Sequence, residues 1–180
     1  MIKTKGIFWL NVQDVVKKDH GEERFAKILA GMSPEDQAIF ANPILPTSWI
    51  DYGAVMRLAV KYVGDLEKFR QLSEISARNN FTGIYKLFFS LTTPEFFIKQ
   101  VPLIWSRYFD SGSIKTEWLS PKHAYLILTK VEGMPPYHEL NITPFLEAGL
   151  KLCGAKNVIT KHPKCLGRAD DCCIFEFCYE

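Results

Sequence analysis

The fold class of this chain is decided by residues 113–131, which have the sequence SIKTEWLSPKHAYLILTKV. From Ile114 to Trp118, uncharged residues alternate with charged ones, and this period of two is typical of a strand with one buried face. Residues 120–123, Ser-Pro-Lys-His, are typical of a turn. Residues 124–131 predict a second strand, so the two segments form an antiparallel hairpin.

The residues after this hairpin predict one helix and two further strands. Residues 141–144, Asn-Ile-Thr-Pro, are typical of a helix start, and Gly154 stands where a helix commonly ends. Residues 156–162 predict the third strand. Residues 173–179 predict the fourth, in which apolar residues alternate with others from Cys173 onward. This order indicates an antiparallel sheet with one crossover helix.

The first 111 residues are predicted to be helical. Ser33 and Thr93 are each followed by a proline and an acidic residue, which is typical of a capped helix start. We therefore expect an α+β fold and a single domain of residues 1–180. Its N-terminal helical half (1–111) packs on a C-terminal four-stranded antiparallel sheet with one crossover helix (112–180).

One break is expected inside the helical half. Residues 42–46, Asn-Pro-Ile-Leu-Pro, contain two prolines, which end helices because they lack the backbone N–H. Thr47 can then cap a following helix that carries Trp49 and Tyr52.

The composition excludes several classes of function. The 180 residues carry 22 Lys and Arg against 20 Asp and Glu, a net charge of +2, whereas binding to a nucleic-acid backbone needs concentrated positive charge. No stretch of about 18 residues is free of charge, so no transmembrane segment is expected. The N-terminus has no signal-peptide core, which predicts a cytoplasmic protein. Common phosphate-loop, hydrolase and metalloprotease motifs are missing, which favours a protein that is not an enzyme.

The tail concentrates the residues that can bind a metal. Four of the five cysteines lie in the last 16 residues, and this clustering favours reduced thiols or a metal site over a disulfide framework. Cys165 and Cys173 flank a short glycine-containing loop between two predicted strands, and their thiolates suit Zn²⁺. His162 or Cys153 would complete such a site. Alternatively, Cys173 is a small buried thiol on the core face of its strand, beside Phe175.

Aromatic residues are the second signal. They crowd into positions 88–109 in numbers too large for one helix face. One interpretation is a hydrophobic core together with a dimer interface. The other is a closed apolar pocket for a small hydrophobic molecule, between these helices and the sheet. The residues predicted to line that pocket are Phe88, Phe89, Trp105, Tyr108, Phe109 and Trp118.

The tail resembles a known family. An aliphatic helix ending in Leu-Cys-Gly-Ala (152–155) is followed by a predicted strand and then by Cys, Gly, Asp-Asp, Cys and Phe at positions 165, 167, 170–171, 173 and 175. Over residues 112–180 this pattern is similar to the 4-vinyl reductase, or hydrocarbon-binding, domain. The helical half, above all residues 105–112 (WSRYFDSG), is similar to uncharacterised myxobacterial proteins of the same length.

This resemblance implies a fold shared with the TRAPP vesicle-tethering subunits, a dimer and an apolar ligand pocket. The relatives include the N-terminal domains of activators that sense phenol or xylene, and some of these hold zinc through cysteines in the same loop. The resemblance implies that Cys165 and Cys173 correspond to two of those zinc-binding cysteines.

These observations favour a non-enzymatic binding or sensory module. It would hold a small apolar or aromatic ligand and act through a homodimer or a signalling partner protein. Ligand burial would shift an equilibrium between two states, which requires that the ligand binds them with different affinities. Two alternatives stay open. One is a protein-interaction scaffold similar to the TRAPP subunits, and the other is a sensor that binds haem or another tetrapyrrole. The histidines considered as haem ligands are His123, His138 and His162.

Overall fold

The structure is a computed structural model that describes residues 1–80, 87 and 89–180, and for residues 19, 20, 79 and 80 it describes only the backbone. Within these ranges the helices are α1 (Gly6–Ala30), α2 (Pro34–Phe40), α3 (Tyr52–Val63), α4 (Leu66–Asn80), α5 (Pro94–Tyr108) and α6 (Glu139–Leu152). The strands are β1 (Lys3–Lys5), β2 (Trp49–Asp51), β3 (Ser113–Ser120), β4 (His123–Thr129), β5 (Ile159–Lys164) and β6 (Cys173–Cys178).

The four longer strands form one antiparallel sheet in the order β3-β4-β6-β5. Strands β3 and β4 are the predicted hairpin, in which Ile114 lies opposite Leu128. Strand β4 pairs with β6, and Leu126 lies opposite Phe175. The α+β fold is confirmed, with α6 as the crossover helix between the two halves of the sheet.

The predicted helix starts at Ser33 and Thr93 are confirmed by their caps. The Ser33 hydroxyl accepts a hydrogen bond from the N–H of Asp36 at 3.2 Å at the start of α2. The Thr93 hydroxyl accepts one from the N–H of Phe96 at 3.2 Å at the start of α5. In both helices a proline occupies the first turn, where its missing N–H has no cost.

The helix expected from Thr47 onward is placed differently. Residues Trp49–Asp51 form β2, which pairs with β1 at the N-terminus, so the helix begins only at Tyr52. The Asp51 carboxylate caps it by accepting a hydrogen bond from the N–H of Ala54 at 2.6 Å. The expectation of an all-helical first half is therefore wrong at these two short strands. Each has three residues, too few to show a period of two.

The main core lies between the inner face of the sheet and the helices α3, α5 and α6. Leu126 and Leu128 of β4 and Phe175 and Phe177 of β6 point to this face and are at most 1% exposed. Phe97 of α5 is fully buried in the same cluster. Burial of a side chain of this size stabilises the fold by roughly 1.5–3 kcal/mol.

A second core cluster joins the first three helices. Trp9 of α1 stacks on Phe40 of α2 with ring centroids 4.2 Å apart, and Leu58 of α3 is fully buried in the same cluster. Within the described ranges, no helix combines the length and the apolar character that crossing a membrane requires.

The Phe97 ring packs directly on the backbone of α6 at Gly149. A Cβ atom at position 149 would overlap the ring, so the contact requires glycine. Phe89 meets the Phe97 ring edge-on, with centroids 5.5 Å apart. This contact fixes how closely α5 and α6 approach above the sheet.

Gly149→Ala is expected to lower the free energy of unfolding by about 1–3 kcal/mol, the usual cost of overpacking a core. Urea denaturation followed by circular dichroism measures the change. Combining it with Phe97→Leu should recover part of the loss, because the smaller side chain makes room for the added methyl group. A Gly149→Ala protein as stable as wild type would contradict this contact.

Candidate metal centre

Four side chains with metal-binding atoms meet at one end of the sheet. They are His138, His162, Cys165 and Cys173, hereafter the His₂Cys₂ cluster, and one ligand atom of each lies within 4.8 Å of the others. His138 directly precedes α6, His162 lies in β5, Cys165 follows β5 and Cys173 begins β6. Residues that are up to 35 positions apart in the chain therefore converge on one small volume.

The loop between β5 and β6 brings the two thiols together. The Asp170 carboxylate accepts a hydrogen bond from the N–H of Cys165 at 2.7 Å. Ala169 has a left-handed conformation, with φ of 67°, and this reverses the chain after a short 3₁₀ turn. The Leu166 N–H then donates to the Sγ of Cys173 at 3.3 Å. The loop thus positions both sulfur atoms through its own backbone.

His138 is fully buried and presents one ring nitrogen to the thiols. Its Nδ1 lies 2.8 Å from the carbonyl oxygen of Pro135, which can only accept, so Nδ1 carries the proton. Nε2 keeps a free lone pair and lies 3.3 Å from the Sγ of Cys173 and 3.9 Å from that of Cys165. Burial lowers the pKa of His138, which favours the neutral ring. A metal-bound histidine commonly has such a carbonyl on its other nitrogen.

His162 has two buried ring nitrogens, and neither has a hydrogen-bond partner in the structure. Its ring stacks on Phe175 with centroids 4.4 Å and planes 4° apart, and it meets His138 edge-on at 5.4 Å. Burial lowers the pKa of His162 to about 4, and repulsion from a protonated His138 adds to the effect. An unsatisfied buried polar group costs about 1–3 kcal/mol, so this ring favours a partner that takes its lone pair.

The Cys173 thiol is protonated when no cation is near. Burial raises the pKa of Cys173 to about 12, with smaller contributions from the neighbouring cysteines. A metal ion reverses this preference because it stabilises the thiolate directly. Two nitrogens and two sulfurs within 4.8 Å match the four ligands of a tetrahedral Zn²⁺ site. Mg²⁺ and Ca²⁺ prefer oxygen ligands, so this donor set does not suit them.

Three of the residues predicted as metal ligands are brought together here, namely His162, Cys165 and Cys173. Cys153 is not, because it ends α6 while His138 precedes the same 14-residue helix, a separation of about 20 Å at 1.5 Å per residue. The Sγ of Cys153 instead lies 3.3 Å from the hydroxyl oxygen of Thr92. Cys153 therefore does not complete the site, and His138 supplies the fourth ligand atom instead.

Cys173 also agrees with the alternative interpretation of its strand. It is fully buried and lies on the inner face of β6 in the same core cluster as Phe175 and Phe177. Because it stands at the first position of the strand, it contacts both this core and the β5–β6 loop. Cys173 is thus both a core residue and a candidate metal ligand.

The aromatic residues predicted to line an apolar pocket belong to the core or to the surface. Trp105 and Phe109 stack with centroids 4.0 Å apart, and the Nε1–H of Trp105 donates to the Ser111 carbonyl at 2.8 Å. Phe89 is buried against Phe97. These contacts are those of a packed interior.

The rest of the predicted pocket set lies apart from this group. Tyr108 is 41% exposed, and Trp118 is half-buried beside an open surface depression. Phe88 lies outside the described residues. The role of these residues in ligand binding stays a prediction.

His123 lies on the outer face of the sheet. Its Nε2 lies 2.7 Å from a carboxylate oxygen of Glu176, and together with Cys178 these residues form a second, partly exposed group of metal-type ligands. The histidine–carboxylate pair satisfies both polar groups by itself, so we assign no metal to this second group.

No family model and no curated protein matches this chain. Among solved structures, the Fe(II) unliganded H-NOX protein of K. algicida matches with a TM-score of 0.68 and 13% identity over 98% of this chain and 96% of that one. A structure that probes haem distortion in the H-NOX family has a TM-score of 0.64 and 11% identity over 98% and 95%. An oxygen-binding H-NOX domain related to soluble guanylate cyclases has 0.60 and 12% over 97% and 92%. At such identities the likeness shows the fold.

The resemblance of the tail to 4-vinyl reductase domains and TRAPP subunits is therefore wrong, because the chain matches H-NOX structures over nearly its whole length. The pattern that suggested it, from Cys165 to Cys173, is a loop between two adjacent antiparallel strands. Glycine and aspartate favour turns in any fold, so they do not identify one.

In protein treated with a chelator, Cys165 and Cys173 are expected to react with iodoacetamide at neutral pH at least about tenfold more slowly than Cys178, since buried thiols are inert. Both are buried, whereas Cys178 is partly exposed. Mass spectrometry of peptides after timed quenching gives the three rates, and urea should make them equal. Rapid alkylation of Cys173 in the folded protein would argue against the described burial.

Proposed function

We propose that this chain is a non-enzymatic sensory module with the fold of the H-NOX domains, and that its responsive centre is a zinc ion held by the His₂Cys₂ cluster. The likeness to an oxygen-binding domain related to soluble guanylate cyclases supports the sensory part. The observation that carries the metal part is the convergence of four ligand atoms within 4.8 Å, with both nitrogens of His162 buried and unpartnered.

Each member of the cluster has a defined role in this proposal. His138 binds through Nε2, because its Nδ1–H is committed to the Pro135 carbonyl. His162 binds through one of its two free nitrogens, and the thiolates of Cys165 and Cys173 balance the two charges of the ion. When bound, zinc supplies a structural cross-link and has no redox chemistry of its own. Because the cysteines must lose their protons, binding weakens as the pH falls.

The ion would connect the start of α6 to the loop between β5 and β6. His138 is the residue before α6, and its Nδ1 lies 3.8 Å from the carboxylate of Glu139 in the first turn of that helix. Gain or loss of the ion would bias the position of the helix start relative to the loop. A partner protein or a second copy of the chain would detect the change if its affinity differs between the two states.

The fold likeness by itself supports a second candidate, a haem-containing gas sensor, which is also an alternative predicted from the sequence. Haem needs a flat apolar slot and an axial His, Cys, Met or Tyr ligand. The described core does not fit this group, because the residues against the sheet are packed without space beside them. The same packed interior also leaves no space for the apolar or aromatic ligand predicted from the sequence.

The metal content of the purified protein tests the proposal. Wild-type protein expressed in zinc-supplemented medium should contain one zinc per chain by inductively coupled plasma mass spectrometry. Cys165→Ser, Cys173→Ser and His162→Gln should each lower zinc affinity by at least about tenfold, since even loss of an outer-shell partner costs about 10- to 100-fold.

Cys153→Ser is the matched control, because it removes a buried cysteine outside the cluster. It should keep the wild-type zinc content and affinity. Replacement of zinc by cobalt(II) should give the absorption of a tetrahedral thiolate site in wild type and in the control. Wild-type protein without bound zinc, or equal losses in the control and the cluster variants, would contradict the proposal.

A further inference from the structure

We infer that this chain does not take haem, because its own side chains fill the interior in which a porphyrin would have to lie. The packing of α3, α5 and α6 against the sheet excludes a porphyrin whether or not zinc is bound, and the described histidines have other contacts.

The side chains on the inner face of the sheet are closed off in the part of the chain that the structure describes. Ala124, Leu126 and Leu128 of β4 and Phe175 and Phe177 of β6 are each at most 1% exposed. A side chain that borders an internal cavity keeps accessible surface toward it. These five side chains therefore border no space that would hold a water molecule.

The helices are equally closed on the side that faces the sheet. Phe97 and Ile98 of α5, Leu150 of α6 and Tyr52 of α3 are at most 1% exposed. The Phe97 ring lies on the backbone at Gly149, where not even a methyl group fits. Pockets for cofactors have volumes of about 300–1,000 Å³, and a close-packed interior cannot open by that much without separating its helices.

None of the three histidines whose side chains are described faces this interior as a free ligand. The His138 ring lies between the Pro135 carbonyl and the Sγ of Cys173, and the His162 ring lies flat on Phe175. His123 pairs with Glu176 on the outer face of the sheet. Among the other haem-ligand types in the core, Cys153 contacts Thr92. Tyr52 and Met56 of α3 are at most 2% exposed, so their side chains are enclosed by protein atoms and not by a slot. The described structure thus offers neither the slot nor a histidine to hold the iron.

Expression with supplied haem precursor tests this inference on the whole chain. Cells grown with δ-aminolevulinate should yield this protein without a Soret band, while the K. algicida H-NOX protein, prepared in parallel, controls for haem supply. Haemin added to the purified protein should then be removed completely by excess apomyoglobin. The zinc content of the same samples is measured separately, so the result does not depend on the zinc proposal.

A Soret band that survives apomyoglobin at one haem per chain would overturn the inference. A haem-dependent rise of the melting temperature that is present in wild type and absent in a Tyr52→Phe or Met56→Leu protein would also overturn it, because both residues are core side chains of a haem-ligand type. Absence of the band, or a band that apomyoglobin removes, supports it.

Discussion

The ring nitrogens of two histidines and two thiols are buried together where β5, β6 and the start of α6 meet, and this end of the fold is stable only if all four groups are satisfied. Buried polar groups without partners are costly. The two ring nitrogens of His138 have partners, namely the Pro135 carbonyl and the two thiols. His162 stacks on Phe175, and neither of its ring nitrogens has a hydrogen-bond partner. One cation with affinity for nitrogen and sulfur would satisfy all four groups at once.

Proteins that share a fold can have their functional sites at different places. The H-NOX structures that match this chain are described as Fe(II), haem or oxygen-binding proteins, but a shared fold does not transfer a site. Here the space between helices and sheet is occupied by Phe97, which lies on Gly149, and by the inner-face residues of β4 and β6. The His₂Cys₂ cluster lies at the end of the sheet, and the proposed sensor would respond through the β5–β6 loop.

Local patterns predicted much of this structure, and long-range packing supplied the rest. The β3–β4 hairpin and the caps at Ser33 and Thr93 follow from alternation and from capping chemistry within a few residues. Cys165, Cys173 and His162 were accessible to sequence reasoning because they flank one short loop. His138 was not, since only the position of α6 against the sheet brings it to the thiols. The family resemblance failed because turn residues between two strands recur in unrelated folds.

X-ray absorption at the zinc edge of the purified protein reports the number and kind of ligand atoms around the ion. For the His₂Cys₂ site we expect four-coordinate zinc with two sulfur neighbours at about 2.3 Å and two nitrogen neighbours at about 2.0–2.1 Å. A spectrum without sulfur neighbours, or protein that binds no zinc at all, would contradict it.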